Sequence, residues 1–317
     1  MVKNPKPPSV ALIITVLNEA QSIKSLLNAL KNQTLSPKEV VIVDGGSTDG
    51  TWNILELWSA KIKHLKIFQL PGANRSKARN YGVSKTHSPL IAFTDAGCIP
   101  QNNWLEELTK PFVKPEVSVV SGYYSGLAEN EFQRALIPYV LVMPEQNGQK
   151  EFFPSTRSMA MTRSVWDKSG GFDPRLSHNE DYAFAVWLKK IGLYFHFAPQ
   201  AIVGWIPRKN LKSTAVMFFR FSFGDIQAGI LRPKIKYIFI RYMIFIYILL
   251  LCFQAPLFLI ILVPLMIGYI LWSIAKNARY IKDIRALFWI PVIQITADLS
   301  VMSGTLFGIT TRLYGIS

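Results

Sequence analysis

Val40-Val41-Ile42-Val43-Asp44-Gly45-Gly46-Ser47-Thr48-Asp49-Gly50 begins with four β-branched residues, runs into a carboxylate and then turns. A short apolar run bounded by turn residues is the pattern of a strand covered on both faces. The glycines and Asp49 reverse the chain, and Ser47 or Thr48 stands where it can cap a following helix. Upstream, 9–16 is a second short run that is almost wholly apolar, and Ile23, Leu26, Leu27 and Leu30 then recur at helical spacing. Downstream, strands are expected near 66–70 and 90–94, with a helix over 77–84 between them. Strands alternating with helices predict an α/β fold with a doubly wound, mostly parallel sheet. Ligands of such sheets gather at the carboxyl ends of the strands. Asp44 and Asp95 both lie at such ends.

Beyond about residue 115 the alternation loosens. A strand is expected over 117–124, a helix over 129–142 and a short mixed segment at 157–162. The stretch 180–191 reads as a helix with Phe184, Trp187, Leu188 and Ile191 on one side and Gly192 as its stop.

Half of the 317 residues are hydrophobic, 17% are charged and the net charge is +15. That composition excludes a disordered or fibrous chain. The charge suits nucleic acid, anionic lipid or phosphate-bearing ligands equally. Cys98 and Cys252 are the only cysteines, which suggests neither a disulfide framework nor a paired-thiol metal site and fits a reducing, cytosol-facing setting. The N-terminal Val2-Lys3-Asn4-Pro5-Lys6-Pro7-Pro8 has no apolar core, so no cleaved signal peptide is expected.

The composition changes near Arg232, and from Tyr242 to Ala275 no residue is charged. One span needs about 20 residues, so this run is too long for one helix. Gln254-Ala255-Pro256 is placed to reverse it. A third apolar stretch follows and contains one acid, Asp298. The expected division is a cytosolic domain at 1–231 and a membrane region at 232–317, with spans near 237–253, 257–275 and 287–310. Asp298 needs a partner in the bundle to be tolerated there. Lys234, Lys236 and Arg241 precede the first span, and Lys276, Arg279, Lys282 and Arg285 lie between the second and third. The positive-inside rule therefore puts 1–236 and the 276–285 loop in the cytosol and the C-terminus outside, with Arg241 free to snorkel. Many basic residues flank spans, so no nucleic-acid partner is expected. A dinucleotide oxidoreductase is disfavoured because no Gly-x-Gly-x-x-Gly follows the first strand.

Four groups of residues can carry chemistry. Asp44 is either a turn acid or an acceptor for a nucleotide base or ribose. Arg75, Lys77 and Arg79 form either a solvated basic face or a diphosphate-neutralising cluster. Asp95 is a turn acid or a ligand of a divalent cation that a diphosphate and water also hold. Glu180 and Asp181 are helix-opening acids favoured by the dipole, or contain a general base.

Taken together, residues 9–225 resemble an inverting nucleotide-sugar glycosyltransferase of family 2, with the GT-A fold. The matching pieces are Leu17-Asn18-Glu19-Ala20, Val43-Asp44-Gly45-Gly46-Ser47-Thr48-Asp49-Gly50-Thr51, Arg75-Ser76-Lys77-Ala78-Arg79-Asn80-Tyr81-Gly82, the strand ending in Asp95, and Gly170-Gly171-Phe172-Asp173 with Glu180-Asp181. The resemblance implies that Asp44 holds the base and that Asn18 and Glu19 line the nucleotide pocket. It implies that Arg75 and Arg79 lie near the diphosphate. Asp95 would hold the donor and a metal, Mn2+ or Mg2+. Asp181 would be the catalytic base, with Glu180 its neighbour. Partners would be a nucleotide-sugar donor, membrane lipids and a glycan or lipid-linked acceptor. Two departures stand out. Gly97 occupies the second acidic position of the family's Asp-x-Asp motif, and the Gln-x-x-Arg-Trp motif of processive members is missing, with Arg208 and Arg220 in the region instead. Transfer of one sugar per event is the resulting expectation. A catalytically idle, nucleotide-binding membrane scaffold is the alternative that Gly97 leaves open.

Overall fold

The computed structural model describes residues 7–143 and 152–314. In chain order the elements are β1 (Val10–Val16), α1 (Ile23–Lys31), β2 (Glu39–Asp44), α2 (Thr51–Ser59), β3 (Leu65–Gln69), α3 (Arg75–Ser84), β4 (Leu90–Phe93), β5 (Cys98–Pro100), α4 (Trp104–Thr109), β6 (Val119–Gly126) and α5 (Glu131–Val140). There follow β7 (Met159–Thr162), α6 (Arg163–Ser169), α7 (Glu180–Lys190), β8 (His196–Trp205), α8 (Leu211–Gln227), α9 (Ile235–Gln254), α10 (Leu259–Ala278), α11 (Ile284–Leu287) and α12 (Trp289–Leu313). The chain divides into two compact units, 1–127 with 144–206, and 128–143 with 207–317.

The first unit is built on one sheet, in the order β3-β2-β1-β4-β7-β6-β8-β5. The strands β1 to β4 pair in parallel, as the alternation predicts. The other half is mixed: β7 runs antiparallel to β4 and β6, β8 pairs in parallel with β6, and β5 runs antiparallel to β8. The parallel half is buried on both faces, which is why its strands are continuous apolar runs. Ile13, Val41, Val43 and Phe93 meet Phe172, Phe184 and Leu188 in one core. Phe172 and Phe184 lie 4.5 Å apart between ring centres, with Trp166 against both.

Some local expectations fail for identifiable reasons. Neither Ser47 nor Thr48 caps α2: Gly50, at φ 90°, precedes that helix, and the Ser47 hydroxyl donates to Asp44 instead. Of the four apolar side chains expected on the inner side of α7, Phe184 and Leu188 are buried, while Trp187 and Ile191 are about two-fifths exposed. The strand β8 escapes a periodicity search because its register jumps: Gly122 pairs with Ala198, but Tyr123 already pairs with Ile202. Three residues thus bulge out of the ladder.

The second unit is helical. The boundary at 231 marks a change of composition, whereas the compact units part near 206, because α8 is a packing partner of α12. An ideal Cβ on Gly304 would fall 2.3 Å from the Phe219 carbonyl oxygen, and one on Gly308 2.9 Å from Ile226. Only glycine lets the two backbones approach this closely. The helix α5 also belongs here: Phe132 meets Trp289 edge to face at 5.3 Å, and the Tyr139 hydroxyl donates to the Ile290 carbonyl at 2.9 Å.

Three helical stretches, Ile235–Gln254, Pro256–Ala278 and Ile284–Leu313, are long and apolar enough to cross a membrane. They contain the segments expected at 237–253, 257–275 and 287–310. Asp298 has its partners. It accepts from Arg241 Nη2 of α9 at 2.7 Å, from the Tyr269 hydroxyl of α10 at 2.5 Å, and from Gln294 Nε2 of its own helix at 3.0 Å. Arg241 therefore turns to Asp298 and does not snorkel. Its guanidinium also lies over the Tyr269 and Trp272 rings. Breaking a buried ion pair costs roughly 3–5 kcal/mol. Asp298→Ala should lower the melting temperature of the detergent-solubilised protein, and Asp298→Asn, which keeps an acceptor oxygen, should fall between it and wild type.

Candidate active site

The site begins with how α3 is seated. Asn74 caps it, its side-chain oxygen accepting from Lys77 N at 2.9 Å. Gly82 lets it lie flat on the sheet, where a Cβ would come within 2.8 Å of Ile13 Cγ2. One side of α3 then docks the loop that leads to α7. Asn74 Nδ2 donates to the Pro174 carbonyl, the Ser76 hydroxyl to the Leu176 carbonyl, and Asn80 exchanges two hydrogen bonds with the Phe172 backbone. The Gly-Gly-Phe-Asp motif is thus largely architectural. Gly171, at φ 76°, passes between Trp166 and Asn80, where a Cβ would meet both at 3.0 Å or less.

This docking carries the start of α7 to Arg79. The Arg79 guanidinium is buried and holds two acids that lie far apart in sequence: Nη2 donates to Asp95 at 2.9 Å and Nη1 to Glu180. Its face rests on the Phe172 ring at 5.4 Å. Burial alone would push the Asp95 carboxyl up, but Arg79, Arg157 and Arg75 outweigh it and hold the group below its ordinary value. Asp181, next along α7, accepts from the Ser155 hydroxyl at 2.8 Å and from Tyr182 N at 2.9 Å.

A second group lies at the neighbouring strand ends. Asn18, at φ 55°, donates through its N–H to the Ser47 hydroxyl, and its side-chain oxygen accepts from Thr48 N. Glu19 N donates to the Thr51 hydroxyl and Ala20 N to Asp49. The loops after β1 and β2 are thereby buckled together. Asp44 is fully buried and accepts from Ser47 N at 3.0 Å, from the Ser47 hydroxyl at 2.6 Å and from Gln69 Nε2 at 3.4 Å. In this arrangement it fixes the turn. The Thr51 hydroxyl and the Ala20 N–H hold the Asp49 carboxyl below its ordinary value.

The residues named from sequence therefore fall into two adjoining groups: Arg75, Arg79, Asp95, Glu180 and Asp181 in one, Asn18, Glu19 and Asp44 in the other. Arg208 and Arg220 belong to the second compact unit. Sequence reasoning missed Ser155-Thr156-Arg157. Ser155 bonds Asp181, Thr156 bonds Asp95, and Arg157 acts electrostatically on both acids. The one sequence signal was a run of four polar residues, 155–158, immediately before a buried strand. The Cys98 thiol is buried, which pushes its pKa up, and Asp95 beside it adds to that, the opposite of what activates a nucleophilic thiol.

Residues 11–170, half of the chain, match the profile of Glycosyl transferase family 2. The chain belongs to that family. It is 28% identical over 233 residues to Glycosyltransferase AglE of Haloferax volcanii, a match covering 71% of this chain and 75% of that one. It is 28% identical over 132 residues to the cholesterol galactosyltransferase of Borreliella burgdorferi, covering 41% and 37%. Several curated relatives are thus spanned over less than half their length. Among solved structures, the mannosyltransferase PcManGT from Pyrobaculum calidifontis, in complex with GDP-Man and Mn2+, superposes with a TM-score of 0.63 at 18% identity, covering 99% of this chain and 89% of that one. S. aureus TarS residues 1–349 in complex with UDP superposes with a TM-score of 0.51 at 19% identity, covering 67% and 65%. These likenesses identify the fold as GT-A, a mixed sheet with helices, followed here by the apolar C-terminal helices.

Among the described residues no group of three or more acidic, His or Cys side chains could hold a metal ion. The donor set is the single carboxylate of Asp95, one oxygen of which is already taken by Arg79. That fits a divalent cation only as one ligand in a shell completed by phosphate and water. At Gly97 an added Cβ would meet nothing within 4 Å, so the position accepts a side chain. Gly97→Asp should therefore lower the concentration of Mn2+ needed for half-maximal donor binding, measured by titrating the metal against a fixed nucleotide sugar. Asp95→Ala should weaken donor binding and metal dependence together, and unchanged metal dependence in that variant would remove Asp95 as the ligand.

Proposed function

We propose that this chain is a membrane-bound inverting glycosyltransferase. It moves one sugar per event from a nucleoside-diphosphate donor to the hydroxyl or phosphate of an acceptor, glycan or lipid-linked. The observation that carries the reading is the Arg79 clamp, which holds the strand-end acid Asp95 and the helix-start acid Glu180 on one guanidinium and so brings the start of α7, with Asp181, to the end of β4.

The roles follow from the chemistry of each group. The buckled loops bearing Asn18, Glu19 and Asp44 form the nucleoside pocket. Arg75 is exposed on the first turn of α3, within electrostatic reach of Asp95, and takes the diphosphate. Arg79 contributes by fixing the two acids, since its Nη atoms are engaged by them. Asp181, oriented by the Ser155 hydroxyl, removes the proton of an attacking hydroxyl as that oxygen approaches the anomeric carbon. A single displacement, with the nucleoside diphosphate departing from the opposite face, inverts the centre. A divalent cation held by Asp95 would supply charge neutralisation to the leaving diphosphate. The relatives named for cholesterol and for O-antigen substrates support a lipid or glycan acceptor.

Asp181→Asn keeps the shape and loses the base. Transfer should fall by about 100- to 10,000-fold, with nucleotide-sugar binding by thermal shift nearly unchanged. Retention of more than about a third of wild-type turnover would remove Asp181 from this role.

The three apolar helices are read as three spans, with the first unit cytosolic. Lys234 and Lys236 lie at one end of α9, and Lys276, Arg279, Lys282 and Arg285 follow on the same side, while the turn at 254–256 carries no charge. A reporter active only outside the membrane, fused after Ser317, should be active. A cytosolic signal would mean an even number of spans.

A further inference from the structure

Arg157 is held unlike the other arginines of the first unit. Its guanidinium lies between two aromatic rings, 5.3 Å from the centre of Tyr124 and 5.5 Å from that of Trp205. Tyr124 comes from β6 and Trp205 from the end of β8, and both are buried. The backbone is pinned too, the Thr94 hydroxyl donating to the Arg157 carbonyl at 3.0 Å. By contrast Arg79 is spent on Asp95 and Glu180, Arg163 on Ser88 and Thr86, and Arg175 on Asp173. Among the described residues the Arg157 guanidinium makes ring contacts and no hydrogen bond or ion pair. The residue as a whole is half-buried.

A guanidinium stacked on rings has its plane fixed while its N–H fork stays free, and that fork matches the oxygens of a phosphate. The tripeptide that delivers it also orients it. Ser155 bonds Asp181 and Thr156 bonds Asp95, so Arg157 emerges between the two acids. Both acids act on its guanidinium. Ser155, two residues before it, holds Asp181 at 2.8 Å, so the cation is delivered beside the group read as the base.

We propose that Arg157, seated between Tyr124 and Trp205, is an anion subsite that binds a phosphate group on the acceptor. The assignment of sides rests on the reading of Asp181 as the acceptor-facing group. It narrows the acceptor to a phosphate-bearing molecule.

The test is binding, which needs no turnover. The full chain, in detergent, is titrated with farnesyl phosphate, with farnesol, and with uridine or guanosine diphosphate. Wild type should bind farnesyl phosphate about 10-fold or more tighter than farnesol. Arg157→Ala should abolish that preference, and any accompanying loss of nucleoside-diphosphate affinity, through Asp95, should be several-fold smaller than the loss of farnesyl phosphate affinity. Arg157→Lys keeps the charge but loses the fork, and should retain part of the preference, which decides the matter if the alanine variant does not fold. Absence of the preference in wild type, its survival in both variants, or a loss confined to nucleoside-diphosphate binding would each overturn the proposal, the last by giving Arg157 to the donor. If Asp181→Asn left transfer intact while the phosphate preference still depended on Arg157, the assignment of the base would fail and the subsite would stand.

Discussion

One guanidinium holds the first unit's chemistry together. Arg79 is almost wholly buried and meets Asp95 and Glu180, each through a separate nitrogen. Two carboxylates brought this close to each other repel, and an uncompensated buried charge is strongly destabilising. The site can therefore exist only while Arg79 is in place. That in turn requires α3 to sit on β1 at the distance Gly82 allows, and requires the 172–176 loop to be tied to Asn74, Ser76 and Asn80. Backbone packing, loop docking and charge are successive conditions for one geometry.

The second unit repeats the principle with the signs exchanged. There the buried charge is the carboxylate of Asp298, and a cation, a phenol and an amide from three helices converge on it. An ionised group inside an apolar bundle is costly unless so surrounded, and the requirement for convergence fixes how α9, α10 and α12 are rotated. Close approach of α8 to α12 at Gly304 and Gly308 supplies the packing that charge alone does not.

Much of this was legible in the sequence, and unevenly. The strands β1 to β4 could be read because parallel strands buried on both faces leave continuous apolar runs, and the helices between them leave a different period. The edge strand β5 is three residues long and β8 is broken by a bulge, so neither leaves a period to read. Ser47 was misassigned as a helix cap because Asp44, in the same turn, competes for its hydroxyl. The acids at 95, 180 and 181 and the arginine at 79 were recognisable as a set only through the family's order of motifs. Their meeting at Arg79 depends on loop docking that no local pattern encodes. Arg157 was invisible for the same reason, since its two rings come from strands about 80 residues apart. The change of composition at 231 was real, but it marks where the chain becomes apolar and not where its contacts divide.

The placement of α5 bears on the order in which the molecule can be made. This helix leaves the ribosome with the first unit only partly synthesised, yet its Tyr139 hydroxyl bonds a carbonyl 151 residues later in the chain. Until α12 has emerged, Phe132 and the other apolar side chains of α5 have nothing to pack on, while both segments of the first unit are already complete by residue 206. A nascent chain therefore passes through a stage with a finished sheet and a greasy helix looped out from its middle. That stage is the one a chaperone or the membrane surface itself would have to shelter. For the same reason a fragment ending at 231 would strand α5 and α8 without their partner.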